Sequence, residues 1–484
     1  MKHNRIYHSS GVLTLALCLT SLLSACGEWI DVTPEDRIVE TTVFSRTKGY
    51  EKAVNGLYSL LNQSSLYGRN MSAGLIDAMA HLYNIDNLHH NYADLAHGVY
   101  TSSTAKGQVA PIWDKGYNLI VNANTIIDHT ADADCPLYEL DKKRMKAEAL
   151  AVRAFMHFDL LRLFGPVPSE LSKQAIPYQT SSKLEVKPLL TGQQVLDSVK
   201  VDLTEALQML RESEPLLLPD KYDSDSLFMR PYRMNYFAVK AILARVCLYA
   251  GDKEEALRYA TEVITEGEPY FPATTAEAAT SPDTPDRIFL SEVLFGLYDT
   301  SRRNHIHNSF FNPSLSQYTI LTLQGNLGSG RLVSFYDDQN DYRFKIWAME
   351  IGDGGNVLYH SKFQNVSDGG RLNYTIPLVR MSEMYLIAAE CSTDLEDANY
   401  YLNALRNRRN SFSVTVTPEN LRQYLTMEYR KEMLGEGQLF FYFKRCEMTR
   451  LPLAEAGSGD EDVSLNNYVV PLPDSETSMR MDLE

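Results

Sequence analysis

The sequence predicts a mainly α-helical scaffold of stacked helix pairs that carries a loop-rich insertion with a few short strands. Three observations predict it. Apolar residues recur at three- and four-residue spacing in one segment after another. Alanines sit where two helices have to approach closely. Between residues 266 and 375 the helical spacing gives way to Pro269, Pro272, Pro282 and Pro285, then to short apolar runs among Gly- and Asn-rich loops. Residues 145–168 show the helical pattern most fully. Leu150, Ala154, Phe158 and Leu161 make one apolar stripe, Ala147, Ala151 and Ala154 leave room for a neighbouring helix, and Phe155, Phe158 and Phe164 fill the space beside it. Gly165 is suited to the left-handed turn that ends a helix, and Pro166 and Pro168 lack the amide hydrogen of a further turn.

The remaining elements follow in order. Residues 47–61 read as a helix. Residues 62–110 read as a large surface excursion with one short helical piece near 73–82. Trp113, Tyr117, Ile120, Asn124 and Ile127 give a helix over 113–129 that should pair with the one at 145. Thr191 and Gln194 have capping-box spacing and open a helix to about residue 210. A further helix spans 235–250 and is closed by Gly251, and Asp252 with Glu255 starts the next, to about 265. Ala241, Leu243, Ala244, Val246, Leu248, Tyr249 and Ala250, then Glu255-Ala256, resemble a tetratricopeptide-type helix hairpin, and 379–391 with 394–409 make a second. Val293 to Leu297 is one of the short apolar runs of the insertion, and Thr417-Pro418-Glu419 reads as the capped start of a helix.

At 484 residues the chain has length for two or three domains, although helical arrays reach this size as one unit. Its net charge of -16 makes nucleic acid an unsuitable partner. The amino terminus is the most specific local signal. Lys2 and Arg5 precede an apolar run over 11–23, too short to span a bilayer, and Leu23-Ser24-Ala25-Cys26 resembles a bacterial lipobox. The organisation expected is a signal peptide over 1–25, a tether over 26–46 lipidated at Cys26, and a single domain over 47–484. Cys135, Cys247, Cys391 and Cys446 are widely spaced, as free thiols are.

Two clusters are suited to ligand contact. His81, His89, His90 and His97 lie within one loop region with Tyr83, Asn84, Asp86, Asn87, Asn91, Tyr92 and Asp94. Sugars need flat rings under their apolar faces and planar amides or carboxylates for their hydroxyls, and this loop is dense in both. The insertion adds Tyr298, Arg302, Arg303, Asn304, His305, Phe310, Phe311, Asn312 and Tyr318. Neither cluster holds a tryptophan, which argues against a broad aromatic platform. The contact residues expected are Tyr83, Asn84, Asp86, His89, His90, Tyr92, Tyr298, Arg303, Phe311 and Tyr318. Asp337, Asp338, Asn340 and Asp341 do not fit a standard calcium loop, and with Arg343 nearby they read as an ion-paired turn. Glu148 and Asp159 read as partners of neighbouring arginines rather than an acid/base pair. No hydrolase, zinc-protease or phosphate-loop motif occurs, so neither a cofactor nor a metal is expected.

Several stretches carry a resemblance. Glu148-Ala149, Arg153-Ala154-Phe155, Phe158-Asp159-Leu160 and Phe164-Gly165-x-Val167-Pro168 look like the signature helix of the SusD/RagB family. Asn55-Gly56-Leu57-Tyr58 and the Trp113 helix resemble earlier segments of that family. Glu428, Glu432 and Glu436-Gly437 resemble its Glu-Gly motif, with Tyr429, Leu439 and Tyr442 standing where arginine, arginine and aspartate are usual. The resemblance implies a lipid-anchored, outward-facing outer-membrane protein of Bacteroidetes, not an enzyme, that binds an oligosaccharide and delivers it to a SusC-like TonB-dependent transporter. It also implies that the ligand surface is built from 62–110 and 266–375. A peptide ligand on the same scaffold, or a surface glycosidase, are the alternatives.

Overall fold

A computed structural model of the chain describes residues 35–480 except 86–88, 184, 324, 328, 353–354 and 453–459. The signal peptide and Cys26 lie outside the described residues. Part of the expected tether is a helix, α1 (Glu35–Phe44). It lies against the scaffold through His129, whose ring stacks on Phe44 at 4.1 Å and whose nitrogens meet Glu40 at 2.9 Å and Asp132 at 2.7 Å. Burial works against charge on this imidazole, but the two carboxylates outweigh it and raise the pKa.

The scaffold is a row of helices in which each packs on the next: α2 (Thr47–Leu61), α3 (Ser103–Thr130), α4 (Glu139–Phe164), α5 (Gly192–Ser213), α6 (Tyr236–Tyr249), α7 (Lys253–Gly267), α8 (Met381–Cys391) and α9 (Leu395–Arg408). Caps fix the starts where the side chains allow. Thr191 and Gln194 form the reciprocal box, Asn235 accepts from the Ala238 amide, and Asp252 from the Glu255 amide. The helix expected from Trp113 opens ten residues earlier, because Ser102 caps the Ala105 amide and the helix absorbs Pro111, which costs it one internal hydrogen bond.

The helix α4 departs from a one-stripe surface helix. From Ala147 to Phe164 every residue is buried, because α3 and α5 cover opposite flanks. Its charges are therefore paired: Glu148 with Arg230 at 2.7 Å, Arg153 bidentate to Asp202 at 2.7 Å, and Asp159 with Arg162. Gly165 is extended, with φ -81° and ψ 174°, not left-handed. What requires glycine there is space, since a Cβ would lie 2.6 Å from both the Leu161 side chain and its carbonyl oxygen. The end of the helix is instead satisfied by Lys444, whose ammonium donates to the Gly165 carbonyl at 2.6 Å.

Two other expectations change. Much of residues 66–85 is core, with Leu66, Tyr67, Met71, Leu75, Ile76 and Met79 buried, so the first half of the 62–110 excursion is not a surface feature. Val379 and Arg380 end a strand rather than open a helix. That strand, β4 (Thr375–Arg380), pairs antiparallel with β1 (Val293–Tyr298) and runs directly into α8. A hairpin of β2 (Trp347–Gly352) and β3 (Gly355–His360) completes the insertion. Near the carboxyl end, α10 (Leu421–Glu432) starts after a turn at Thr417, whose amide donates to Asn420 at 2.6 Å, and α11 (Leu439–Arg445) follows. All four cysteines expected as free are free, Cys247 and Cys391 buried and the other two partly exposed.

Insertion and scaffold are joined by a buried ion network. Glu432 meets Arg343 at 2.9 Å, Arg409 at 2.7 Å and also Arg380. Glu428 meets Arg343 at 2.7 Å, Arg406 at 2.5 Å and Lys431 at 2.9 Å. Asp337 and Asp341, the residues expected in an ion-paired turn, bind Lys431 at 2.6 Å and Arg343 at 2.7 Å. Removing one carboxylate strands several guanidinium groups, so Glu432→Ala should lower the unfolding free energy by about 3–5 kcal/mol, read from a denaturant midpoint. Burial alone would push the Glu428 carboxyl up, but Arg343, Lys431 and Arg406 bring it down to about 2. A depressed carboxylate stabilises the fold above its unfolded pKa and loses that contribution as pH falls. Stability measured at constant salt should therefore drop between about pH 4.5 and pH 2, the window set by the ordinary glutamate value and the depressed one.

Candidate ligand-binding face

The loop after Leu82 and the segment 310–323 of the insertion are laced together. The Asn84 amide donates to the Thr322 carbonyl at 2.8 Å, and the Asn91 amide to the Tyr318 carbonyl at 2.9 Å. Between them, His90 Nε2 lies 3.3 Å from the Ile320 carbonyl oxygen. Behind this seam is an aromatic layer. The Phe311 ring lies 3.9 Å from His360 and 5.9 Å from Tyr83, the Tyr83 hydroxyl is 3.0 Å from His360 Nε2, and Tyr92 lies 6.1 Å from Phe310. Phe310 and Phe311 end the wide helical turn Arg303–Phe311. In front, His89 meets the Tyr318 ring edge to face at 6.2 Å, and Asn91 is exposed beside them. Burial, then the positive charges of Lys362 and His307, hold His360 well below its usual pKa, and burial lowers His90. The support layer is therefore neutral.

A second anchor fixes the loop from below. Asp77, on the short helix Leu75–Met79, accepts the Gly435 amide at 2.7 Å and the Gly437 amide at 2.9 Å, and lies 3.4 Å from the Tyr83 hydroxyl. Gly435 and Gly437 have φ of +73° and +65°, and a Cβ on Gly437 would lie 2.1 Å from the Met71 carbonyl oxygen. Burial pushes the Asp77 carboxyl up to about 7, against the pull of the two amides and Lys362.

A family model described as starch-binding associating with outer membrane, of the SusD-like type, matches residues 28–248, and the SusD/RagB family model matches 355–480. The chain belongs to the SusD/RagB family. A SusD-like protein of Formosa agariphila is 23% identical over 96% of both chains, and another of Bacteroides ovatus is 26% identical over 54% of this chain and 45% of its own. A SusD superfamily structure from Bacteroides thetaiotaomicron superposes with a TM-score of 0.71, at 23% identity over 89% of this chain and 97% of that one. A SusD-like carbohydrate binding protein from Bacteroides vulgatus does so at 0.68, with 20% identity over 90% and 96%. The helical, tetratricopeptide-like scaffold with few short strands is thus the SusD fold.

Within this SusD-type frame the expected contact residues separate by exposure. His89 and Tyr318 are exposed and Asn84 and Tyr92 half-buried at the seam. Tyr83, His90 and Phe311 are instead buried, so they support the face from behind and offer a ligand no surface. Asp86 lies outside the described residues. Arg303 is exposed, and Tyr298 belongs to another aromatic group, 5.3 Å from Tyr232 and 5.4 Å from Tyr374. Sequence reasoning missed His360 and Asp77. An acid inside the apolar run Leu75-Ile76-Asp77-Ala78-Met79 was a signal for the second; a strand-end histidine gives none. At the departures from the SusD Glu-Gly motif, Tyr429 and Tyr442 stack at 4.1 Å and Leu439 is buried. The layering makes a prediction: Tyr83→Ala should cost about 3 kcal/mol of stability, whereas His89→Ala should stay within about 0.5 kcal/mol, as read by paired urea titrations.

Proposed function

We propose that the protein captures an oligosaccharide at the cell surface and passes it to a SusC-like TonB-dependent transporter, without catalysing a reaction on it. The observation that carries this reading is the seam itself: the two excursions meet through cross-loop hydrogen bonds and present rings and amides on one exposed face. Rings beneath a sugar's apolar side and amides at its hydroxyls are the groups a saccharide needs. Membership of the SusD/RagB family, one of whose models is described as starch-binding and associated with the outer membrane, supports the same ligand class and location. Cys26, lipidated after removal of the signal peptide, tethers the binder to the outer membrane facing outward. Among the described residues no helix is long and apolar enough to cross a membrane, so the anchor carries the attachment in this reading.

Confinement beside a transporter makes weak binding sufficient, because a tethered binder raises the local concentration of its cargo. Release then stays fast. In a glycan array followed by calorimetry, Tyr318→Ala should weaken the best oligosaccharide by about three- to tenfold with an unchanged melting temperature. Retention of peptides alone, with every glycan ignored, overturns the sugar assignment.

A further inference from the structure

A cleft lies away from the seam. It encloses about 770 Å³ between the turn after α7, the segment leading into β1, and the residues just before β4. Its apolar wall includes Pro231, Tyr270 and Pro272, and the Tyr270 ring is 43% exposed. Thr274, Ser281 and Thr284 also line it, with the Ser281 and Thr284 hydroxyls 3.1 Å apart and that of Thr274 3.1 Å from Ser291 Oγ. This volume is in the range of small-molecule sites, and a lining that combines aromatic and apolar surface with hydroxyls suits the two kinds of surface of a sugar ring.

Arg371 is part of the lining. Its guanidinium carbon is 4.7 Å from the Phe228 ring centroid and 5.1 Å from that of Tyr232, and Nε donates to the Tyr232 hydroxyl at 2.8 Å. Tyr232 is itself fixed, 2.8 Å from Thr375 Oγ1, which donates to the Arg371 carbonyl at 2.8 Å. The cation is thus held rigidly, yet no carboxylate of the described residues lies within ion-pair distance of it. That contrasts with Arg343, Arg380, Arg406 and Arg409, each of which meets at least two acids. Nor does the cleft supply a hidden partner. Asp286 is buried and turns its oxygens to the Ile288 and Leu290 amides at 3.2 and 2.8 Å, and Glu277 is exposed. A planar fork with fixed orientation and free donors is the group that reads a carboxylate or sulfate, and its rigidity lowers the entropy lost on binding.

We propose that this cleft is a second saccharide site, selective for carbohydrate that carries an anionic substituent, with Arg371 reading the charge and Tyr270 and the lining hydroxyls holding the ring. The inference rests on the protein being a carbohydrate binder, but it assigns different residues from the seam. The test is calorimetry on the purified full-domain protein with oligogalacturonate and its methyl ester, a sulfated galactan oligosaccharide and its desulfated form, and sodium sulfate alone. One of the charged oligosaccharides should bind about tenfold more tightly than its neutral counterpart. Arg371→Gln should remove that preference, Arg371→Lys should restore only part of it, and Tyr318→Ala should leave it unchanged. The responding pair identifies the anion as carboxylate or sulfate. Equal affinity for charged and neutral partners, indifference to Arg371→Gln, or loss of the preference in Tyr318→Ala each overturns the cleft while leaving the seam in place. Binding of sulfate with no oligosaccharide response reduces it to a simple anion site and overturns it too. Should Arg371→Gln fail to fold, Tyr270→Ala replaces it and should weaken the charged oligosaccharide severalfold; unchanged affinity in that variant overturns the cleft. Arg371-dependent binding of charged glycans with no glycan bound through Tyr318 leaves the cleft and removes the seam reading alone.

Discussion

Glu432 is the centre of the buried ion network that joins the insertion to the helices. Its carboxylate lies among Arg343 from the insertion, Arg380 at the end of β4 and Arg409 at the end of α9, and Arg409 carries the connection on to Glu292 at 2.6 Å. Lys362 and Arg380 extend it to Glu436. The network balances: Arg343, Lys362, Arg380, Arg406, Arg409 and Lys431 face Glu292, Asp337, Asp341, Glu428, Glu432 and Glu436, six cations against six carboxylates. Balance matters because desolvating a charge costs several kcal/mol and a buried pair often does no more than recover that cost. The network's effect is therefore on specificity more than on net stability. A shifted docking of the insertion would leave some of these charges buried and unpaired, and such arrangements are strongly disfavoured.

From that constraint the rigidity of the face follows. Glu436 sits between Gly435 and Gly437, whose amides hold Asp77, and Asp77 underlies Tyr83. Tyr83 in turn supports Phe311 and His360, and the seam between Asn84 and Thr322 closes over them. Charge pairing deep in the scaffold and the position of a surface loop are thus steps of one chain of contacts. A face held this way enters binding with little conformational entropy left to lose, so a few rings and amides suffice.

Helices were legible in the sequence, and so were the starts that a capping side chain marks, because spacing and caps are local. Thr191, Asn235 and Asp252 begin helices where their side chains say they should. The irregular buried segment 66–85 was not. Residues 66–85 have no period to betray their depth, since a period marks a boundary between core and water and most of these residues are buried. The ligand segments were legible as clusters of rings and amides, but not the division between Tyr83 and Phe311 behind and His89 and Tyr318 in front. In irregular chain nothing ties residue number to the side faced. The ion network was hidden for a third reason: Glu432 meets Arg343 across 89 residues and Glu292 is 117 residues from Arg409, so composition shows the charges and only the fold shows the pairs.

The departures from the family motif fall where this physics permits them. The residues that match it, Glu428, Glu432 and Glu436, are the carboxylates of the network, each held by two or more cations. The residues that depart lie beside it. Tyr429 and Tyr442 stand where an arginine and an aspartate are usual, and they face each other as stacked rings at 4.1 Å, with the Thr426 hydroxyl 2.8 Å from that of Tyr442. The departures spare Glu432, whose three arginines come from three different parts of the chain, so that losing its carboxylate would strand all three at once.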